Sequence, residues 1–160
     1  MSNSGTYAKL VPCEDTRNKI ALILKMFNLE NHASPHDLHV TVIYSKQECP
    51  TLETAIVSLP ITATGKAFSI FPNANGGRCL VVELENNDLQ LMHSQLRAEH
   101  GATHDFESYK PHITLSYDYS SDTVPGEAML EHFWCLKFDQ FVVETLNFNW
   151  GKNEQERVKD

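Results

Sequence analysis

Two short runs in this 160-residue chain pair a histidine with a threonine at the same spacing. They read Leu38-His39-Val40-Thr41-Val42 and Pro111-His112-Ile113-Thr114-Leu115. On a β-strand, side chains alternate faces, so residues i and i+2 point the same way. His39 and Thr41 then share one face, and Leu38, Val40 and Val42 the other. His112 and Thr114 repeat the arrangement against Ile113 and Leu115. With eight His and eleven Thr in the chain, chance supplies roughly half of one H-x-T match, and about a tenth of one when the Thr must have apolar neighbours on both sides. Two such matches at corresponding places in the chain make a specific signal.

The residue types suit one chemistry. Breaking a phosphodiester bond without a metal takes a base for the attacking hydroxyl and an acid for the leaving oxygen. Histidine serves either role, because its unperturbed pKa of about 6.5 lies near neutrality. One imidazole on each side of phosphorus fits an in-line displacement. A threonine hydroxyl beside each ring can hydrogen-bond the non-bridging oxygens as charge grows there, and its β-branch holds the rotamer on a strand. A lone histidine of this kind is more often an ordinary strand residue; the pair is what favours catalysis.

The elements that must carry these pairs follow from periodicity. Gly5 to Val11 reads as a strand. Asp15 to Leu29 reads as a helix with Ile20, Ile23, Leu24 and Phe27 on one face. Residues 31 to 37 form a loop, and Leu38 to Tyr44 is a strand rich in β-branched residues. Thr51 to Leu59 reads as a short helix ended by Pro60. Ile61 to Phe71 and Arg78 to Leu84 are strands joined across a turn-rich Pro72–Gly77 link. Asp88 to Glu99 is a helix with Leu89, Met92 and Leu96 on one side and Gly101 as its stop. His112 to Tyr117 is a strand, Glu127 to Lys137 is ambiguous between helix and strand, and Phe141 to Phe148 is a last strand. Each half of the chain thus delivers one histidine on a strand. The expected fold is α+β, bilobal and pseudo-symmetric, with antiparallel sheets lining a central cleft and helices packed outside. Residues 1–150 are expected to form one domain, followed by a polar tail at 151–160.

Composition narrows the partners. A net charge of −8, with 13 basic against 21 acidic residues, argues against a grip on long DNA or RNA, which needs a basic stripe. A phosphate-bearing substrate is expected to be small and enclosed. No apolar run is long enough for a membrane span, and the N-terminus lacks the pattern of a secretory signal, so a cytoplasmic protein is expected. Cys13, Cys49, Cys79 and Cys135 lie far apart and are read as free, mostly buried thiols. His32, His36, His100 and His104 show no metal-ligand spacing and read as solvated loop residues. Neither a metal nor another cofactor is expected. Lys46 and Lys110 lie near the motif strands, where attraction of phosphate and plain surface exposure are both open readings.

The paired motifs, their separation and the run Tyr109-Lys110-Pro111 before the second resemble the two-histidine (2H) phosphoesterases over about Gly5 to Trp150. Within that superfamily the opening Gly5-Thr6-Tyr7, the Leu38–Thr41 strand and the closing Val143–Trp150 segment are similar to the phage anti-CBASS phosphodiesterases. The resemblance implies a bilobal fold and metal-independent cleavage of 3′–5′ bonds in cyclic di- or trinucleotide immune signals, in the host bacterial cytoplasm. It implies that His39, Thr41, His112 and Thr114 are catalytic, and that Tyr7, Glu144 and Trp150 touch the nucleotide. Stacking on a base is worth about 1–3 kcal/mol, although packing at a strand end accounts equally well for Tyr7 and Trp150, and a solvated strand face for Glu144. A monomer is expected. Two rival readings are an RNA 2′,3′-cyclic phosphodiesterase of the RNA-repair type and a non-catalytic cyclic-nucleotide sponge.

Overall fold

Six antiparallel strands close on themselves in the order β1-β2-β5-β4-β3-β6. The computed structural model describes residues 4–72, 76–103 and 108–147. The strands are β1 (Ser4–Pro12), β2 (Val40–Ser45), β3 (Ile61–Pro72), β4 (Arg78–Glu85), β5 (His112–Ser116) and β6 (Leu136–Asn147). The helices are α1 (Glu14–Met26), α2 (Asn87–His100) and the single-turn α3 (Glu127–Leu130).

The ring of strands is uneven, and that unevenness makes two lobes. β1 pairs along most of its length with both β2 and β6, and β4 pairs with both β3 and β5. The two three-stranded sheets meet only at short seams. One is the register pair Val40↔Ile113 between β2 and β5, and the other joins Ile61–Ala63 of β3 to Leu136–Phe138 of β6. This is the bilobal α+β fold that the strand order implied.

Alternation sorts the faces. Ala8 and Leu10 of β1, Val40 of β2, Leu80, Val82 and Leu84 of β4, and Ile113 and Leu115 of β5 belong to one buried cluster. They pack with Ile20, Ile23 and Leu24 of α1 and with Leu89, Met92 and Leu96 of α2. Burying an aliphatic or aromatic side chain of this kind is worth about 1.5–3 kcal/mol, so each histidine strand is pinned from behind.

α2 follows its sequence signals closely. The Asn86 side chain accepts hydrogen bonds from the backbone N–H groups of Asp88 and Leu89, and Gly101 takes the left-handed conformation (φ 69°) that ends the helix. α1 stops at Met26, earlier than its apolar periodicity suggests. Phe27 is its cap rather than part of its buried face, and Asn28 turns the chain at φ 51°. Between Glu127 and Lys137 the chain is neither all helix nor all strand: α3 makes one turn, and β6 begins at Leu136. The expected helix over Thr51–Leu59 reduces to a 3-10 turn at Pro50–Thr54. All four cysteines are free, but only Cys49 and Cys79 are buried; Cys13 is half-buried and Cys135 exposed.

Candidate active site

The two motifs meet at the β2–β5 seam. An antiparallel pair has a local two-fold axis through its centre, and here that axis passes between Val40 and Ile113. It relates His39 to His112 and Thr41 to Thr114. Val40 and Ile113 are fully buried, so the flanking positions turn to the other side of the sheet. His39 itself lies one residue before the start of β2, not inside the strand as the sequence pattern suggested. The seam is a single register pair, and the ladder has not begun where His39 stands.

Both imidazoles are wired alike. His39 Nδ1 lies 2.6 Å from the carbonyl oxygen of Asp37, and His112 Nδ1 lies 2.8 Å from that of Lys110. A carbonyl only accepts, so in each ring Nδ1 carries the hydrogen and donates it. In the neutral ring Nε2 is then the basic nitrogen. Each histidine is oriented by the backbone two residues upstream, which fixes its tautomer. Each ring also has an aromatic flank at an edge-to-face angle: Tyr7 beside His39 (6.2 Å between centroids) and Phe71 beside His112 (4.9 Å).

The threonines differ in their support. Thr41 Oγ1 is 2.9 Å from the Tyr7 hydroxyl. When Tyr7 donates, the Thr41 hydrogen is free to point at a ligand. Thr114 is buried, at 5% exposure, and pairs with Val81 of β4.

The structure also brings together two of the three residues expected to touch a nucleotide. Tyr7 and Glu144 are register partners on β1 and β6. Trp150 lies outside the described residues. Next to them stands Lys9, which the motif reading missed. Its backbone pairs with Thr41, its Nζ is 3.3 Å from Glu144 Oε2, and it lies 6.0 Å from the Tyr7 ring centroid. The available signal was Tyr7 itself: Lys9 is two residues on and so shares its face. On the other lobe Glu83 is the register partner of His112 and accepts a hydrogen bond from Ser69 Oγ. Glu83 and Ser69 carried no motif.

A buried brace holds β2 in place beyond the seam. Val42 is the extra residue of a bulge, since Ala8 pairs with Ile43 and Lys9 with Thr41. The Val42 carbonyl accepts from His93 Nδ1 of α2 (2.7 Å), and the Thr41 carbonyl accepts from the Tyr109 hydroxyl (2.6 Å). The His93 and Tyr109 rings stack at 4.1 Å and 9°. Tyr109 precedes Lys110, whose carbonyl orients His112, so this one contact ties the second motif's approach to the first motif's strand. Burial pushes the Tyr109 hydroxyl pKa well above the ordinary tyrosine range.

The expected loop histidines scatter. His32 and His36 are exposed, while His100 hydrogen-bonds the Thr51 hydroxyl at 2.7 Å; His104 lies outside the described residues. Lys46 and Lys110 are exposed. No helix among the described residues is long and apolar enough to cross a membrane.

Comparison with known proteins identifies the family and the fold. Residues 4–153 match the family model described as Anti-CBASS protein Acb1. Relatives bearing that name include one from Salmonella phage S16, 29% identical over 151 residues and covering 94% of both chains. Another, from Yersinia phage phiR1-RT, is 31% identical over 147 residues and covers 92% of each. Among solved structures, E. coli LigT complexed with 3′-AMP superposes with a TM-score of 0.61 at 18% identity, covering 93% of this chain and 91% of that one. A second structure, described as a phosphoesterase, gives 0.58 at 17% identity, covering 89% and 87%. At such identities these two speak for the fold alone, and the two lobes meeting at the His39–His112 seam are therefore a two-histidine phosphoesterase fold in a chain that belongs to the Anti-CBASS protein Acb1 family.

Proposed function

We propose that the chain is a metal-independent phosphodiesterase that cleaves the 3′–5′ bonds of cyclic di- and trinucleotide immune signals, and so counters a bacterial defence in the infected cell's cytoplasm. The observation that carries this reading is the matched wiring of His39 and His112. Two imidazoles, each with Nδ1 tied to a carbonyl so that Nε2 is the basic nitrogen of the neutral ring, sit about one two-fold axis. A base and an acid disposed about that axis suit an in-line displacement, in which the attacking and leaving oxygens lie on opposite sides of phosphorus. The name carried by the relatives supports the defence role, and the LigT structures complexed with 3′-AMP and with ATP support a nucleotide-sized ligand.

In the proposed reaction one histidine takes the proton of a ribose 2′-hydroxyl as that oxygen attacks the adjacent phosphorus. The other gives a proton to the departing 5′ oxygen. The P–O5′ bond breaks as the P–O2′ bond forms, leaving a 2′,3′-cyclic phosphate that water then opens with the two roles reversed. Thr41 and Thr114 donate to the non-bridging oxygens. Tyr7 and Trp150 stack on bases, and Glu144 accepts from a base edge.

Incubation with 3′3′-cyclic GMP–AMP and with RNA ending in a 2′,3′-cyclic phosphate, both in chelator, tests the substrate. Linearised dinucleotide with little RNA turnover is the expected result. Preference for the RNA would assign an RNA-repair role, and ligand returned intact would make the protein a sponge.

A further inference from the structure

The chain carries excess negative charge, yet its proposed ligand is an anion. A local cation must therefore offset the acids that line the same face, Glu83 and Glu144. Lys9 is placed to do so. It stands beside Thr41 on β1, two residues from Tyr7, and its side chain is 27% exposed. The side chain is thus mostly packed but still reached by solvent.

The Lys9 ammonium is paired with Glu144, 3.3 Å away and a diagonal neighbour across the β1–β6 ladder. The pair is open to solvent on the carboxylate side, where Glu144 is 45% exposed, so it is weakly held and exchangeable. A phosphate seated against the Thr41 hydroxyl would meet Lys9 next. Lysine suits this role because its compact charge rotates readily between two oxygen partners.

We infer that Lys9 is the phosphate-binding cation of the site, and that it exchanges Glu144 for a non-bridging oxygen of the reacting phosphodiester when substrate enters. This rests on the phosphodiesterase reading above. The exchange gives Glu144 its second role. Released from Lys9, the carboxylate is free to accept a hydrogen bond from a base, so phosphate binding and base recognition become coupled across one strand pair. A ligand with phosphate but no base completes only half of the exchange.

The test uses two probes, inorganic phosphate titrated by phosphorus NMR and 3′3′-cyclic GMP–AMP turnover. Lys9→Met should weaken phosphate binding and lower kcat/KM on the dinucleotide about 10- to 100-fold, the loss expected for a hydrogen bond to a charged group. The change falls mainly on KM, because the diester is already charged before reaction. Lys9→Arg should restore most of both. Glu144→Gln should produce the crossed pattern: phosphate binds more tightly because its competitor is gone, while KM for the dinucleotide rises because the base contact is lost. Wild-type phosphate affinity and wild-type KM in Lys9→Met would overturn the assignment, as would weaker phosphate binding in Glu144→Gln. Absence of dinucleotide cleavage by the wild type would instead sink the phosphodiesterase reading, and the phosphate titration would still decide the role of Lys9.

Discussion

Val40 faces Ile113 across the seam between the two lobes, and each of these buried residues is bracketed by its own histidine and threonine. A single apolar register pair therefore sets the spacing of both catalytic candidates. The packing that buries Val40 and Ile113 leaves His39, Thr41 and His112 half-buried on the other face, while Thr114 is buried.

Matched wiring predicts matched sensitivity. His39→Ala and His112→Ala should each lower kcat/KM on a cyclic dinucleotide by about 10²–10⁴-fold, the usual contribution of a positioned acid or base. The fold should persist, since both rings are only half-buried. Near-wild-type turnover by either variant contradicts the assignment.

Tyr109→Phe removes one hydroxyl and leaves the ring that stacks on His93. The Thr41 carbonyl then loses its 2.6 Å donor, which should cost about 1–3 kcal/mol of stability and loosen both motifs together. The pH dependence has a definite sign. Burial raises the Tyr109 pKa above its ordinary value of 10.0, so the folded protein keeps a proton that the unfolded chain releases. Stability from this group is complete below about pH 10 and declines as pH rises beyond it. Thermal melts between pH 8 and 11 should fall more steeply for wild type than for Tyr109→Phe.

Gly65 marks a packing limit in the second lobe. A Cβ there would stand 2.8 Å from Val82 Cγ2 and 2.9 Å from Phe133 Cβ. Its backbone N–H also donates to the Phe133 carbonyl. Gly65→Ala should destabilise the fold by about 1–3 kcal/mol, as overpacking does, read as a lowered Tm. An unchanged Tm would mean that Phe133, fully buried in the core, has room to shift.

Much of this arrangement was legible in the sequence because alternation is a local rule. The period-2 pattern around His39 and His112 placed each pair on one face of its strand, and Gly101 ended α2 by ordinary capping chemistry. Contacts set by tertiary register were not legible. Lys9 became part of the site only once β1 lay between β2 and β6, and Glu83 only once β4 paired with β5. The brace of His93 and Tyr109 depends on a bulge at Val42, which no local residue preference announces. Likewise, the start of β2 after His39 follows from how briefly two strands touch.

Metal independence is tested by chelation. Dialysis against EDTA should leave turnover of 3′3′-cyclic GMP–AMP unchanged, because the proposed chemistry draws only on imidazole and hydroxyl groups. A loss restored by added divalent cation would require a different mechanism.

The most direct measurement is product analysis of 3′3′-cyclic GMP–AMP after incubation with wild type and with the His39→Ala/His112→Ala double variant, side by side. Two imidazoles acting as base and acid predict complete linearisation by the wild type and an untouched ring with the variant. Comparable product from the variant would mean that the bond is broken by other groups.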